Sequence, residues 1–127
     1  MNWKNKIFQN HTIYSFESLA LEVFQYQAKN NSVYKTYLKL LNVNPNNVKN
    51  LGQIPFLPIE FFKHQDVVCK PNNIDAVFTS SGTSGLQSKH IVKDLSIYEK
   101  SFTSGFEYFY GNIMDYTILA LLPSYME

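Results

Sequence analysis

Between Phe78 and His90 the sequence reads Phe-Thr-Ser-Ser-Gly-Thr-Ser-Gly-Leu-Gln-Ser-Lys-His, a run whose residue types suit an anion. Gly82 and Gly85 allow positive φ, so successive backbone amides can converge on one oxyanion. Ser81, Thr83 and Ser84 add hydroxyl donors. Lys89 adds one mobile positive charge at the far end. Together these groups could cradle a polyphosphate. Two other chemistries fail on spacing. A Walker loop needs Lys directly after its second glycine, and Leu86 follows Gly85 here. A hydrolase nucleophile elbow needs Gly-x-Ser-x-Gly, and Leu86 again stands where the last glycine must be. On composition alone, a Gly/Ser hairpin without a ligand accounts for the same residues equally well.

The remaining reactive side chains form no pattern. His11, His64 and His90 are scattered, and His64-x-Asp66 offers two metal ligands where a site needs more. Glu17, Glu22, Glu60, Glu99 and Glu107 show no pairing of the kind acid–base catalysis uses. Cys69 is the single cysteine and reads as a buried strand residue. It has no partner for an intrachain disulfide, which fits a reducing compartment. No catalytic residue is identified.

The elements that must position the loop follow from periodicity. The first forty residues read as helix. Ser15 is a candidate N-cap, followed by Phe16, Leu19, Ala20, Val23, Phe24 and Gln27 at three- and four-residue steps. Asn30-Asn31 breaks the pattern. Ser32 can cap a second helix with Val33, Tyr34, Tyr37, Leu38 and Leu41 on its inner side, making a helical hairpin with an aromatic core. Asn42 to Gly52 is a loop rich in Asn. In Ile54-Pro55-Phe56-Leu57-Pro58 the prolines exclude a long helix or central strand, and Pro58 can start a single helical turn through Phe62. Short strands are expected at Val67–Cys69, Ala76–Thr79 and His90–Lys93. Asp94 should cap a helix carrying Tyr98, Phe102, Phe106 and Phe109 as core, and Gly111 should end it. Those four rings at helical spacing could alternatively line an acyl tunnel. Thr117–Leu122 reads as a strand buried on both faces.

Composition sets the class. With 45% hydrophobic and 16% aromatic residues in 127, the chain is not disordered overall. A formal charge of +1 with no basic stripe gives nucleic-acid binding no electrostatic support. All eleven cations are Lys, so an arginine clamp on phosphate or carboxylate is excluded. No signal-like or transmembrane segment is found, since the longest apolar run, Ile118 to Pro123, is far short of the ~20 residues that span a bilayer. A cytoplasmic globular protein is expected.

With these residues in place, Ser81-Gly82-Thr83-Ser84-Gly85 and the later Lys89 resemble the phosphate-loop motif of the adenylate-forming superfamily. That superfamily includes acyl-CoA synthetases, and its motif is commonly Thr-Ser-Gly-Thr-Thr-Gly-x-Pro-Lys. The flanks Ile54–Pro58, Phe61-Phe62-Lys63 and Leu121-Leu122-Pro123-Ser124-Tyr125 are similar to the acyl-protein synthetase branch, the long-chain fatty-acid ligases of bacterial bioluminescence and their relatives. Lys89 sits one place later than the motif's lysine. The resemblance implies an α/β fold: an N-terminal helical hairpin, then part of a sheet bearing a phosphate-loop β-hairpin and a covering helix, an incomplete adenylate-forming large domain. On this reading 1–52 are helical and 53–127 are α/β, with the phosphate loop at 80–89. It implies ATP-dependent formation of an acyl-adenylate from a carboxylic acid, a fatty acid by family, and transfer to a thiol acceptor on a protein or CoA, with ATP and Mg²⁺ required. Ser81, Gly82, Thr83, Ser84, Gly85 and Lys89 would bind the phosphates.

The resemblance covers the N-terminal third or so of a family member. The family's nucleoside-binding motifs and catalytic lysine lie further on, so the 127 residues alone are expected not to adenylate acids. The alternative is a non-catalytic structural or interaction domain derived from that fold. An uncovered edge at Thr117–Leu122 would invite pairing, so a homo-oligomer, a swapped element or poor solubility is expected.

Overall fold

Small polar residues set the helix boundaries of this chain. The computed structural model describes residues 3–9, 12–70, 72–81 and 85–120. After a short helix α1 (Trp3–Ile7), the long helix α2 (Ile13–Asn30) starts at Thr12, whose hydroxyl accepts the Ser15 N–H at 3.2 Å. Ser15, expected as the cap, therefore lies inside the first turn. Lys6 ties α1 to α2 through Glu22, with Nζ at 2.6 and 2.9 Å from its two carboxylate oxygens.

Asn31 separates α2 from α3 (Ser32–Leu40) and serves both. Its backbone N–H closes α2 on the Gln27 carbonyl at 2.9 Å, and its Oδ1 accepts the Tyr34 N–H of α3 at 3.1 Å. The expected cap, Ser32, is instead the first helical residue. Asn is a good N-cap because its short side chain reaches the orphan amides. At 4% exposure Asn31 is buried, and its Nδ2 donates to Gln27 Oε1.

The two helices form the expected hairpin. Phe24, Ala28, Tyr34, Leu38 and Val48 make its core, with Leu21, Tyr37, Val43, Ile54 and Leu57 packed around them. Phe16 and Leu41, assigned to the inner face by spacing, are exposed. The proline-spaced segment lies across this core and is held by two hydroxyls. Tyr34 donates to the Pro55 carbonyl at 2.6 Å and Tyr37 to the Phe56 carbonyl at 3.3 Å. A single helical turn α4 (Phe61–His64) follows, preceded by the Phe61 N–H bonding the Pro58 carbonyl.

Among the described residues the sheet is a two-stranded antiparallel pair, β1 (Ala76–Thr79) with β2 (Lys89–Val92). The expected strand at Val67–Cys69 reduces to one isolated bridge between Asn31 and Cys69. Lys70 and Asn73, on either side of position 71, take positive φ. Lys93 donates to the Lys70 carbonyl at 2.7 Å. Cys69 is half-buried, and its thiol donates to Gln27 Oε1 at 3.1 Å. Burial pushes the thiol pKa up, against the opposing pull of Lys93 and Lys70.

The chain divides into two compact units, Met1–Leu95 and Ser96–Glu127. Helix α5 (Leu95–Tyr110) begins at the boundary, where the Leu95 N–H is accepted by an Asp75 carboxylate oxygen at 3.0 Å. Asp94 stands directly before the first helical residue, the position expected for the cap; Asp75, twenty residues distant, adds a contact that sequence spacing could not show. Gly111 ends the helix as expected, at φ +88° with its N–H on the Glu107 carbonyl. The aromatic residues of α5 are not a core. Tyr98, Phe102 and Phe109 are exposed, and rings pair along the helix, Tyr98 with Phe102 at 5.7 Å and Phe106 with Tyr110 at 5.0 Å. Residues 117–120 form no strand, and Leu121–Leu122 lie outside the described residues. A strand needs a ladder partner, and none pairs with 117–120 among the described residues, so the edge argument for self-association has no strand to rest on.

Candidate functional site

The Gly/Ser segment joins the two strands of the antiparallel pair. The register Ala76↔Val92, Val77↔Ile91, Phe78↔His90, Thr79↔Lys89 places Lys89 at the root of the connection, directly across from Thr79. Strand alternation divides the side chains between two faces. Phe78 and His90 share one face, where His90 stacks on Phe62 of α4 at 6.3 Å between ring centroids. Thr79 and Lys89 share the other. Lys89 is exposed. Lys93 donates to the Lys70 carbonyl and to Asn72 Oδ1. Lys89 makes no such bond among the described residues.

The ladder runs one rung further through side chains. The Ser80 N–H donates to the Ser88 carbonyl at 3.1 Å, and the Ser88 N–H donates to Ser80 Oγ at 3.0 Å. Sequence reading did not single out either residue. Beyond this rung Ser81 is exposed. Gly85 takes φ +103°, and a Cβ there would meet nothing within 4 Å. Gly85 is thus required by backbone conformation and not by crowding. Gly82, Thr83 and Ser84, also expected to bind phosphate, lie outside the described residues. After Gly85 the chain passes through Leu86–Ser88 into β2, with no helix between. The segment from Gly85 to β2 therefore presents no helix N-terminus to an anion.

The other reactive groups stay apart. His64 and Asp66 are exposed, and no group of three or more His, Cys, Asp or Glu that could hold a metal ion occurs among the described residues. No helix is long and apolar enough to cross a membrane among the residues described.

Comparison with known proteins agrees with the motif reading at the level of family. A family model described as acyl-protein synthetase, LuxE, matches residues 6–119. The long-chain-fatty-acid–luciferin-component ligase of Photorhabdus luminescens is 32% identical over 74 residues, 58% of this chain and 63% of that protein. The match therefore spans somewhat less than two thirds of that relative's length. No solved structure matches the chain. The family match runs through the helical hairpin, the proline-spaced segment, both strands and α5, and on that extent the chain belongs to the acyl-protein synthetase (LuxE) family.

Proposed function

We propose that this protein serves ATP-dependent activation of a fatty acid, with the β1–β2 connection holding the nucleotide's phosphates as part of an adenylate-forming large domain. The acid's carboxylate attacks the α-phosphorus of ATP, giving an acyl-adenylate and pyrophosphate. The acyl group then passes to a thiol on a protein or on CoA, forming a thioester and releasing AMP. The chain's residues in this part of the reaction position and stabilise; they form no covalent bond. Ser81, Thr83 and Ser84 supply hydroxyl donors, the backbone at Gly82 and Gly85 supplies amides, and Lys89 supplies the cation. Mg²⁺, when bound with the nucleotide, offsets phosphate charge.

The observation that carries this reading is the loop's placement. It is a glycine-containing connection closed at its root by a paired ladder, with Lys89 exposed on the rung beside it. The positive φ and open surroundings at Gly85 fit a phosphate approaching the backbone. Membership of the family supports the choice of acid and ligase chemistry.

Lys89→Ala tests the reading. A charge-assisted contact at an exposed site is worth about 1 kcal/mol, or roughly fivefold in affinity. Equilibrium dialysis with labelled Mg-ATP should show weakening of about that size, with the fold unchanged by circular dichroism. Equal ATP affinity in the two proteins would remove Lys89 from the phosphate site.

A further inference from the structure

We propose that Ser80 is the positioning residue of this loop, fixing its root and the place of Lys89 through the Ser88 amide. The proposal rests on the phosphate-loop reading above and extends it to a residue that contacts no phosphate in that account. In an ordinary narrow antiparallel rung, the Ser88 N–H would go to the Ser80 carbonyl. Here it goes to the Ser80 hydroxyl at 3.0 Å, while the Ser80 N–H still reaches the Ser88 carbonyl at 3.1 Å. The rung is closed, yet the chain can turn out of the sheet at Ser80, because a side chain has taken the carbonyl's role.

Little else described holds this end of the hairpin. Ser81, Gly85, Leu86 and Gln87 are exposed, so they bury little apolar surface against which to offset their conformational entropy. Lys89 follows Ser88 directly. Its Cα is therefore set on one side by the Thr79 pairing and on the other by the Ser80–Ser88 rung. Loss of the hydroxyl acceptor would leave the Ser88 amide to water and would loosen the last fixed point before the loop.

The test uses Ser80→Ala and Ser80→Thr, the second retaining a hydroxyl. Two readouts are needed: amide hydrogen exchange at Ser88, resolved by NMR, and Mg-ATP affinity by dialysis. A hydrogen bond of about 1 kcal/mol corresponds to roughly fivefold faster exchange when it is lost. We expect Ser80→Ala to speed Ser88 exchange by about that factor and to weaken ATP binding severalfold. Ser80→Thr should restore both. An unchanged Ser88 exchange rate in Ser80→Ala would overturn the proposal. So would faster exchange with undiminished ATP affinity, since the hydroxyl would then position nothing that the ligand reads. If the native chain itself binds no Mg-ATP, the functional reading falls first, and that result is distinct from either of these.

Discussion

Tyr34 shows how much one hydroxyl can decide. Its ring packs edge-on against Phe24 at 6.1 Å, inside the helical core, while its oxygen donates to the Pro55 carbonyl at 2.6 Å. Prolines 55 and 58 deny this segment regular pairing, so its course over the hairpin depends on such side-chain contacts. Tyr34→Phe keeps the packing and leaves the Pro55 carbonyl without that donor. We expect a loss of about 1–2 kcal/mol in urea unfolding. Burial, and secondarily Tyr37, push the Tyr34 pKa up to about 12 from 10.0. The folded state therefore holds this proton more tightly than the unfolded chain. The contribution is fully present below about pH 10 and is lost as pH rises from there towards 12. The alkaline fall in stability over that window should be shallower in Tyr34→Phe than in the native chain.

At the scale of elements, Asn31 is the joint on which the helical hairpin turns. It ends α2, begins α3, donates to Gln27 and bridges to Cys69. Asn31→Ala removes both side-chain bonds from a buried position. The expected loss is about 1–2 kcal/mol, read as a lower unfolding midpoint. Asn31→Asp keeps the cap acceptor and removes the donor to Gln27, so it should fall between alanine and the native residue at neutral pH.

The sequence made some elements plain and hid others, for physical reasons. Ala76–Thr79 was legible because a short β-branched and aromatic run bounded by polar residues has few other uses. The helical hairpin was legible because its apolar spacing repeats over several turns. Its caps were misplaced by one to three residues because Thr12, Ser15, Asn31 and Ser32 are all competent caps, and only geometry selects among them. The Asp75 contact at Leu95, the Tyr34–Pro55 bond and the Ser80–Ser88 rung are invisible to periodicity, since each depends on where the chain has folded back. For the same reason helical spacing overstated the core of α5. Spacing shows which residues share a face but does not show what covers it. Within the candidate site, the type and order of its residues were readable, whereas the placement of Lys89 opposite Thr79 came from the ladder.

For the whole molecule, the family match carries across most of the chain, whereas the specific assignment of chemistry rests on one loop. Backbone amide shifts of the labelled protein, followed during separate titrations with Mg-ATP, tripolyphosphate and adenosine, test that assignment most directly. A phosphate loop predicts saturable shifts with Mg-ATP and tripolyphosphate, concentrated in residues 80–89, with adenosine leaving those amides unmoved. Shifts confined to other residues, or none with either polyphosphate, would contradict the account and favour a non-catalytic domain that retains the family's fold without its nucleotide chemistry.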